Sequence, residues 1–313
     1  MDQRGMQRKT IKRTLIKKLE EWIGSIDDSA LVSLIKRDTI VTGGSIASML
    51  LGERVNDYDI YFKTLETTQR VAEYYVAKFN AAKVIKSEGT LNDHTPFVCR
   101  DVIKNIKGYE EDRICIKIKS AGVAHEEMSA YKYFEMRPEE EQQDFMESLG
   151  ALESSDDKPK YRPVFLSQNA ITLSDRMQIV IRFYGLPNQI HDNYDFVHAM
   201  SYFDWDTKEL VIPAAAMESM MSKTLYYHGS LYPLCSIFRA KKFIERGWHI
   251  SAGQLLKIMW QISEVDLRDR LVMQEQLTGV DAAYMHMLFQ ALQDVDPQKI
   301  NSTYVGEIID RIF

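Results

Sequence analysis

Apolar positions in this chain change period several times, and each change marks an element. Ile11, Leu15, Leu19 and Trp22 recur at helical spacing, and residues 1–36 as a whole read as helix. Thr39 to Thr42 (TIVT) is a short β-branched run that predicts a buried strand, broken by Gly43-Gly44. Ser45 to Leu51 has helical character, and Asp57 to Phe62 (DYDIYF) alternates as a second strand does. Thr67 to Phe79 predicts a helix, Ala82 to Lys86 a short strand, and Arg113 to Lys119 (RICIKIK) a longer one. Glu126 to Leu149 has helical content, and Ser154 to Pro159 is the clearest loop. Strands are expected over Val164 to Leu173 and Met177 to Tyr184, joined at Ser174-Asp175. Tyr194 to Phe203 and Glu209 to Ile212 suggest a hairpin around Asp204 to Thr207, and Ala214 to Phe313 reads as helix and short turns.

A mixed sheet followed by helices is an α+β pattern. Three parts are expected: a basic helical segment over residues 1–36, an α/β domain over 37–213, and an all-helical region over 214–313. No internal repeat or low-complexity segment interrupts them.

The run from Gly43 to Asp59, GGSIASMLLGERVNDYD, carries the candidate chemistry. Two glycines let a backbone approach a phosphate closely, and a helix opening behind them favours an anion at its N-terminus. Asp57 and Asp59 lie two apart on a strand and therefore face the same side. Carboxylates so placed repel unless a cation separates them, and Mg²⁺ takes such oxygens. A phosphate cradle facing a carboxylate pair suits metal-assisted attack on a nucleotide phosphate. A strand-turn-helix with a solvated acidic strand start accounts for the same residues without any chemistry.

The run resembles the signature of the DNA polymerase β nucleotidyltransferase superfamily, and within it the head domain of CCA-adding enzymes and bacterial poly(A) polymerases. Their pattern is Gly-Gly-x-Val-Arg-Asp-x-Leu-Leu-Gly, four residues, then Asp-x-Asp. Gly43, Gly44, Ile46, Leu50, Leu51, Gly52, Asp57 and Asp59 fall in that register without a gap, while Ala47 and Ser48 replace the Arg-Asp pair. The resemblance implies a nucleotidyltransferase-type mixed-sheet head followed by a helical neck and body. It also implies two Mg²⁺ (or Mn²⁺) ions held by three carboxylates, with a nucleoside triphosphate as substrate and RNA as a possible partner.

Asp57 and Asp59 would be the first two metal ligands. Asp195 is the favoured third, in a segment similar to the family's Arg-Arg-Asp-Phe-Thr-Ile-Asn motif, although Asn193 and Tyr194 stand where that motif has arginines. A ribose contact, or a strand-start aspartate satisfied by backbone N–H groups, suits Asp195 as well. Asp112 is the weaker alternative. Gly43, Gly44 and Ser45 would hold the triphosphate. Arg182 is a candidate for the missing positive charge, since neutral side chains cannot imitate a guanidinium fork on phosphate. Arg239-Ala240-Lys241-Lys242-Phe243 resembles the family's neck motif Arg-Ala-x-Arg-Phe, with Lys242 at the second basic position. That helix would carry charge toward the triphosphate or primer, and it also has a core face.

The family's base-reading motif, Glu-Asp-x-x-Arg, is absent in that spacing. Glu264 and Arg268 read as an i,i+4 pair on a helix. Asp204 and Asp206 fit turn chemistry. His198, His228 and His249 read as packed or surface histidines, and Tyr226, Tyr227, Tyr232 and Trp248 as core aromatics that could also stack on bases.

Composition narrows the alternatives. The chain has 313 residues, 45% hydrophobic and 27% charged, and fits a soluble globular protein. No apolar run approaches membrane-spanning length, and MDQRGMQRKT lacks the apolar core of a secretory signal. Cys99, Cys115 and Cys235 lack zinc spacing and fit reduced thiols, which suggests a cytoplasmic protein. A net charge of −6 argues against general wrapping of nucleic acid, although Arg4 to Lys18 is strongly basic.

The sequence therefore points to a metal-dependent nucleotidyltransferase that moves a nucleoside monophosphate from an NTP to a hydroxyl, with an RNA 3′ end the favoured acceptor. The competing reading is a decayed nucleotidyltransferase fold serving as a structural module.

Overall fold

The computed structural model describes residues 5–86, 95–104, 108–118 and 159–269, together with the isolated positions 272, 273, 276, 303 and 307. The expected helix at Glu126 to Leu149 lies outside these residues, as does most of the loop at Ser154 to Pro159. So do most of the C-terminal positions expected to be helical beyond residue 269.

Helices α1 (Arg8–Gly24) and α2 (Ser29–Asp38) come first. The side chain of Asp28 caps α2 by accepting from the Leu31 N–H at 3.0 Å. Strand β1 (Thr39–Thr42) leads through Gly43 into α3 (Gly44–Leu51). Gly52, left-handed at φ 72°, ends α3 by donating to the Met49 carbonyl. Strand β2 (Tyr58–Phe62) and helix α4 (Leu65–Lys86) follow. Beyond them come β3 (Pro96–Lys104), β4 (Glu110–Ile118), β5 (Pro163–Leu166), β6 (Ala170–Leu173) and β7 (Met177–Val180). The chain continues through α5 (Pro187–His191), a single 3-10 turn at Val197–Ala199, β8 (Tyr202–Asp204) and β9 (Glu209–Val211). The described part ends with α6 (Ala214–Ser222), β10 (Thr224–Leu225), α7 (Pro233–Glu245), β11 (His249–Ile250) and α8 (Ala252–Ser263).

Seven strands form one mixed sheet in the order β5-β6-β7-β2-β1-β8-β9. Its one parallel pairing joins β2 to β7. Register pairing lines up Leu210, Phe203, Val41, Ile60, Ile179, Ile171 and Leu166, one from each strand, all 2% exposed or less. Residues paired across a ladder point to the same side, so this row is one sheet face. It packs on Ile11, Leu15, Leu19 and Trp22 of α1 and on Val71 and Tyr75 of α4. The Trp22 Nε1–H donates to the Tyr75 hydroxyl at 2.7 Å and ties the two helices together. The adjacent row, one residue along each strand, is Val211, Tyr202, Thr42, Asp59, Gln178, Thr172 and Phe165. It faces the other way and is mostly polar.

A second cluster gathers Phe196, Ala216, Met220, Leu225, Tyr227, Ala240, Trp248 and Ile258, and Ala47 of α3 joins it. Helix α3 therefore lies between the sheet core, which takes Ile46 and Met49, and the later helices.

Several expected elements differ. Ala82 to Lys86 is the last turn of α4, because helical packing on the sheet overrides a short apolar run. Val164 to Leu173 is two strands, not one. Ser167 turns the chain by accepting from the Ala170 N–H at 2.9 Å. Tyr194 to Phe203 is not one strand: it is extended at Phe196, which bridges Tyr227, and again from Tyr202, with the 3-10 turn between. The strand expected from Arg113 falls within β4, and it pairs in a separate two-stranded ladder with β3, which the sequence pattern did not signal. The described residues from Ala214 to Asp269 are mainly helical, with one two-residue parallel pairing between β10 and β11 among them. Lys223 and Gly247, both at positive φ, end the preceding helices there.

Candidate functional site

The site forms where β1 ends, α3 begins and β2 enters the sheet. Gly43 has φ 96° and ψ −158°, a conformation open to glycine and costly for any other residue. A Cβ at position 43 would sit 2.6 Å from Asp59 Oδ2. The Asp59 carboxylate thus lies directly against the glycine backbone. Thr42 pairs with Asp59 across the ladder, so the turn and the carboxylate are held in register by β1 and β2.

The turn is also pinned from below. The Gly43 N–H donates to the Ala199 carbonyl at 3.1 Å. The Thr42 hydroxyl donates to the Ser201 carbonyl at 2.9 Å and lies 2.8 Å from His191 Nε2. A hydroxyl has one proton, so Thr42 accepts from a protonated Nε2. Burial pushes the His191 imidazole down to about 4, which keeps it neutral.

Gly44 is exposed, and a Cβ there would meet open space. Ser45 is 3% exposed, and its hydroxyl has no hydrogen-bond partner among the described residues. Gly43 has no side chain to cap α3, so the first N–H groups of the helix donate no bond to an N-cap side chain. These groups together make a donor surface beside the Asp59 carboxylate.

Asp57 lies just before β2 and is half-buried like Asp59. Burial raises the Asp57 carboxyl above its ordinary range. Asp59 is raised well above it, first by burial and then by repulsion from Asp57, while Arg239 opposes the shift. An acidic pair with no cation of its own strand beside it favours either a proton or a metal ion.

Asp195 is not gathered with this pair. Its Oδ2 forms an ion pair with Arg239 Nη1 at 2.8 Å. Among the described residues no three His, Cys, Asp or Glu side chains come together as a metal site. The position beside Asp59 on the neighbouring strand is Gln178, an amide. Asp112 lies on β4 of the separate ladder and acts on Tyr184, whose hydroxyl is raised by burial and by Asp112 and Glu111. Two carboxylates still fit Mg²⁺, which is commonly bound by one or two protein carboxylates with water and substrate phosphates completing the shell.

Arg182 is 6% exposed, with its guanidinium 4.4 Å from the Tyr232 ring and 5.3 Å from the Phe183 ring. Lys242 lies on α7 and is half-buried. On that helix it is Arg239 whose charge reaches Asp59. The arginine of the Arg239-to-Phe243 motif was the signal for it. His191 had no such signal, since nothing local to residues 187–191 marks a contact with Thr42.

Comparison with solved structures finds a CCA-adding enzyme with CTP, 13% identical at a TM-score of 0.36, covering 94% of this chain and 54% of that one. It also finds the Thermotoga maritima CCA-adding enzyme complexed with tRNA, 12% identical at a TM-score of 0.35, covering 93% of this chain and 68% of that one. The chain spans about half the length of the first of these. Superpositions this loose carry no weight for the site or its chemistry. A comparison with curated proteins finds no match. The Gabija anti-defense 2 family model matches residues 13–223, well over half of the chain and including every residue of the glycine turn and the carboxylate pair, so the chain belongs to that family.

Proposed function

We propose that the protein is a metal-dependent nucleotidyltransferase, and that nucleotide transfer is the means by which it exerts the anti-defense role in its family's name. The observation that carries this reading is the Asp59 carboxylate seated against the Gly43 backbone at the mouth of α3. Gly43, Gly44 and Ser45 would bind the triphosphate, with Gly43 letting the backbone come close and the N–H groups of Gly44 and Ser45 and the buried Ser45 hydroxyl donating to it. Asp57 and Asp59 would hold Mg²⁺ or Mn²⁺, which supplies charge neutralisation at the phosphates and at the attacking oxygen. The hydroxyl of the acceptor attacks the α-phosphorus, the bond to the β-phosphate's bridging oxygen breaks, and pyrophosphate leaves. The hydroxyl proton is released to solvent. The favoured acceptor is an RNA 3′ end.

The proposed organisation keeps residues 37–213 as the catalytic part and 214–313 as a helical neck and body. Arg239, in that second part, opposes the upward shift of the Asp59 carboxyl, so both parts would contribute to the site.

One observation favours a second reading. Only two carboxylates meet among the described residues, and Gln178 stands where the neighbouring strand could have offered a third. A non-catalytic module that keeps metal-dependent nucleotide binding fits that feature. Transfer of labelled nucleotide, measured on the wild type and on Asp57→Ala/Asp59→Ala, separates the two readings.

A further inference from the structure

We propose that Cys99 and Cys115 are a redox-active dithiol, oxidised to an internal disulfide by a small disulfide of the oxidised-glutathione class. The inference is independent of the nucleotidyltransferase reading above. The two cysteines lie 16 apart in sequence, a spacing that signals nothing by itself. The β3–β4 ladder brings them together.

Cys99 on β3 and Cys115 on β4 are direct partners in the antiparallel register. Residues so placed have Cα atoms about 4.5–5.5 Å apart, inside the span that a disulfide bridges. Both are free thiols, and their Sγ atoms lie 2.8 Å apart. Forming the bond shortens that separation by about 0.8 Å, a shift within reach of side-chain rotation.

Strand period sorts what surrounds the pair. Val98, Ile114 and Ile116 turn to the apolar core, so the cysteines face the opposite side of the ladder. Arg113 and Lys117 lie two residues to either side of Cys115 and share its face. They reach the Asp101 carboxylate at 3.0 and 3.7 Å. Two cations beside one carboxylate leave net positive charge around the thiols, which favours the thiolate that exchange requires. Cys99 is half-buried and Cys115 fully buried. Burial, and then the neighbouring Cys99, hold the Cys115 thiol above its ordinary range. The difference sets the order: Cys99 meets the reagent, and Cys115 resolves the adduct once the Cys99 thiol no longer opposes it.

In the first step Cys99 gives its proton to water and its thiolate attacks one sulfur of the reagent. A Cys99–reagent S–S bond forms, the reagent's own S–S bond breaks, and one thiolate leaves to be protonated. In the second step Cys115 loses its proton to water and attacks Cys99 Sγ. The Sγ–Sγ bond forms, the mixed disulfide breaks, and the second reagent thiolate leaves and is protonated. Two protein thiols are oxidised by two electrons, and one small disulfide is reduced to two thiols. The product joins β3 to β4 in a ladder tied to the β5–β6 turn, where the Ile116 N–H donates to the Gln168 carbonyl at 3.1 Å. Cys235, 1% exposed on α7, donates to the Gln276 carbonyl at 2.8 Å and is the internal reference.

The test incubates the full chain, native and reduced, with excess oxidised glutathione, quenches in acid, alkylates, and maps the peptides by mass spectrometry. The expected result is loss of two of the three alkylatable thiols, a Cys99–Cys115 cross-linked peptide, and Cys235 still alkylated. Dithiothreitol should return all three. Cys115→Ala should stop at a glutathione adduct on Cys99, and Cys99→Ser should leave Cys115 reduced. If Cys115→Ala fails to fold, the wild-type map and Cys99→Ser decide. A lasting glutathione adduct on wild-type Cys99 with Cys115 free, a bridge between two chains, or no oxidation of either thiol would each overturn the inference.

Discussion

Asp59 occupies the space that a side chain at Gly43 would need: its Oδ2 lies 2.6 Å from the point where a Cβ would be. One residue is therefore glycine for two reasons. Its φ of 96° excludes a side chain on backbone grounds, and the facing carboxylate excludes one on steric grounds.

Gly43→Ala should lower stability by about 2 kcal/mol or more, because backbone strain of about 1–2 kcal/mol adds to displacement of the carboxylate. In an Asp59→Ala background the same substitution should cost only the strain. Denaturant melts of the two single variants and the double variant measure the difference as a coupling energy. Additive effects would mean that the two residues do not touch.

The carboxylate pair makes a signed prediction for pH. The Asp59 carboxyl is raised in the folded state, by burial first and by Asp57 second. Between the unfolded and folded values the unfolded chain binds fewer protons, so the group's contribution to stability falls as pH rises. In chelator, the stability of wild type relative to Asp59→Asn should drop as pH increases from 4 toward 7. Mn²⁺ at neutral pH should restore it in the wild type and not in the variant. Thermal melts over a pH series, with and without Mn²⁺, read both effects.

His191 has the opposite sign. Burial lowers its imidazole to about 4 while it supports the Thr42 hydroxyl. The unfolded chain takes up a proton first, so His191 contributes stability above its ordinary value of 6.5 that is lost as pH falls toward 4. His191→Gln removes this titration and can still donate to Thr42. The stability gap between wild type and variant should narrow across that window, and the imidazole resonances of the native protein should stay in the neutral form down to about pH 4–5.

Asp38 supports the sheet rather than the site. Burial alone would raise its carboxyl, but hydrogen bonds from Arg37, Thr64 and Thr67 outweigh it and hold the group down at about 2. The threonine bonds join the end of α2, where β1 begins, to the start of α4. Asp38→Ala should cost about 2–3 kcal/mol at pH 7. The wild-type advantage should be lost as pH falls from about 4 through 2, which acid melts of both proteins would show.

Strand β1, helix α3 and strand β2 were legible in the sequence because their signals are local. A β-branched run, a double glycine and a period-two strand follow one another within about two dozen residues. The hairpin within Val164 to Leu173 was not legible, because Ser167 is a modest turn former and the flanking residues alternate as one strand would. The 3-10 turn at Val197 is set by packing of Phe196 and His198 against Phe243 and Trp248, which lie about fifty residues away. The same holds at the site. Strand period marked Asp57 and Asp59 as a pair; Asp57 lies just outside β2, and its charge still acts on the Asp59 carboxyl. The pairing of Asp195 with Arg239 joins residues 44 apart in sequence and depends on how α7 packs against the Phe196 segment. Residue type marked Asp195 as an acid worth watching, and only the fold shows which charge it faces.

The most direct test of the central claim is a transfer assay with purified protein, Mn²⁺ or Mg²⁺ and each α-labelled NTP, with total RNA or with no added acceptor. The account predicts label transferred to a macromolecule with release of pyrophosphate, abolished in Asp57→Ala/Asp59→Ala. Absence of transfer with every nucleotide, together with no metal-dependent NTP binding, would contradict it.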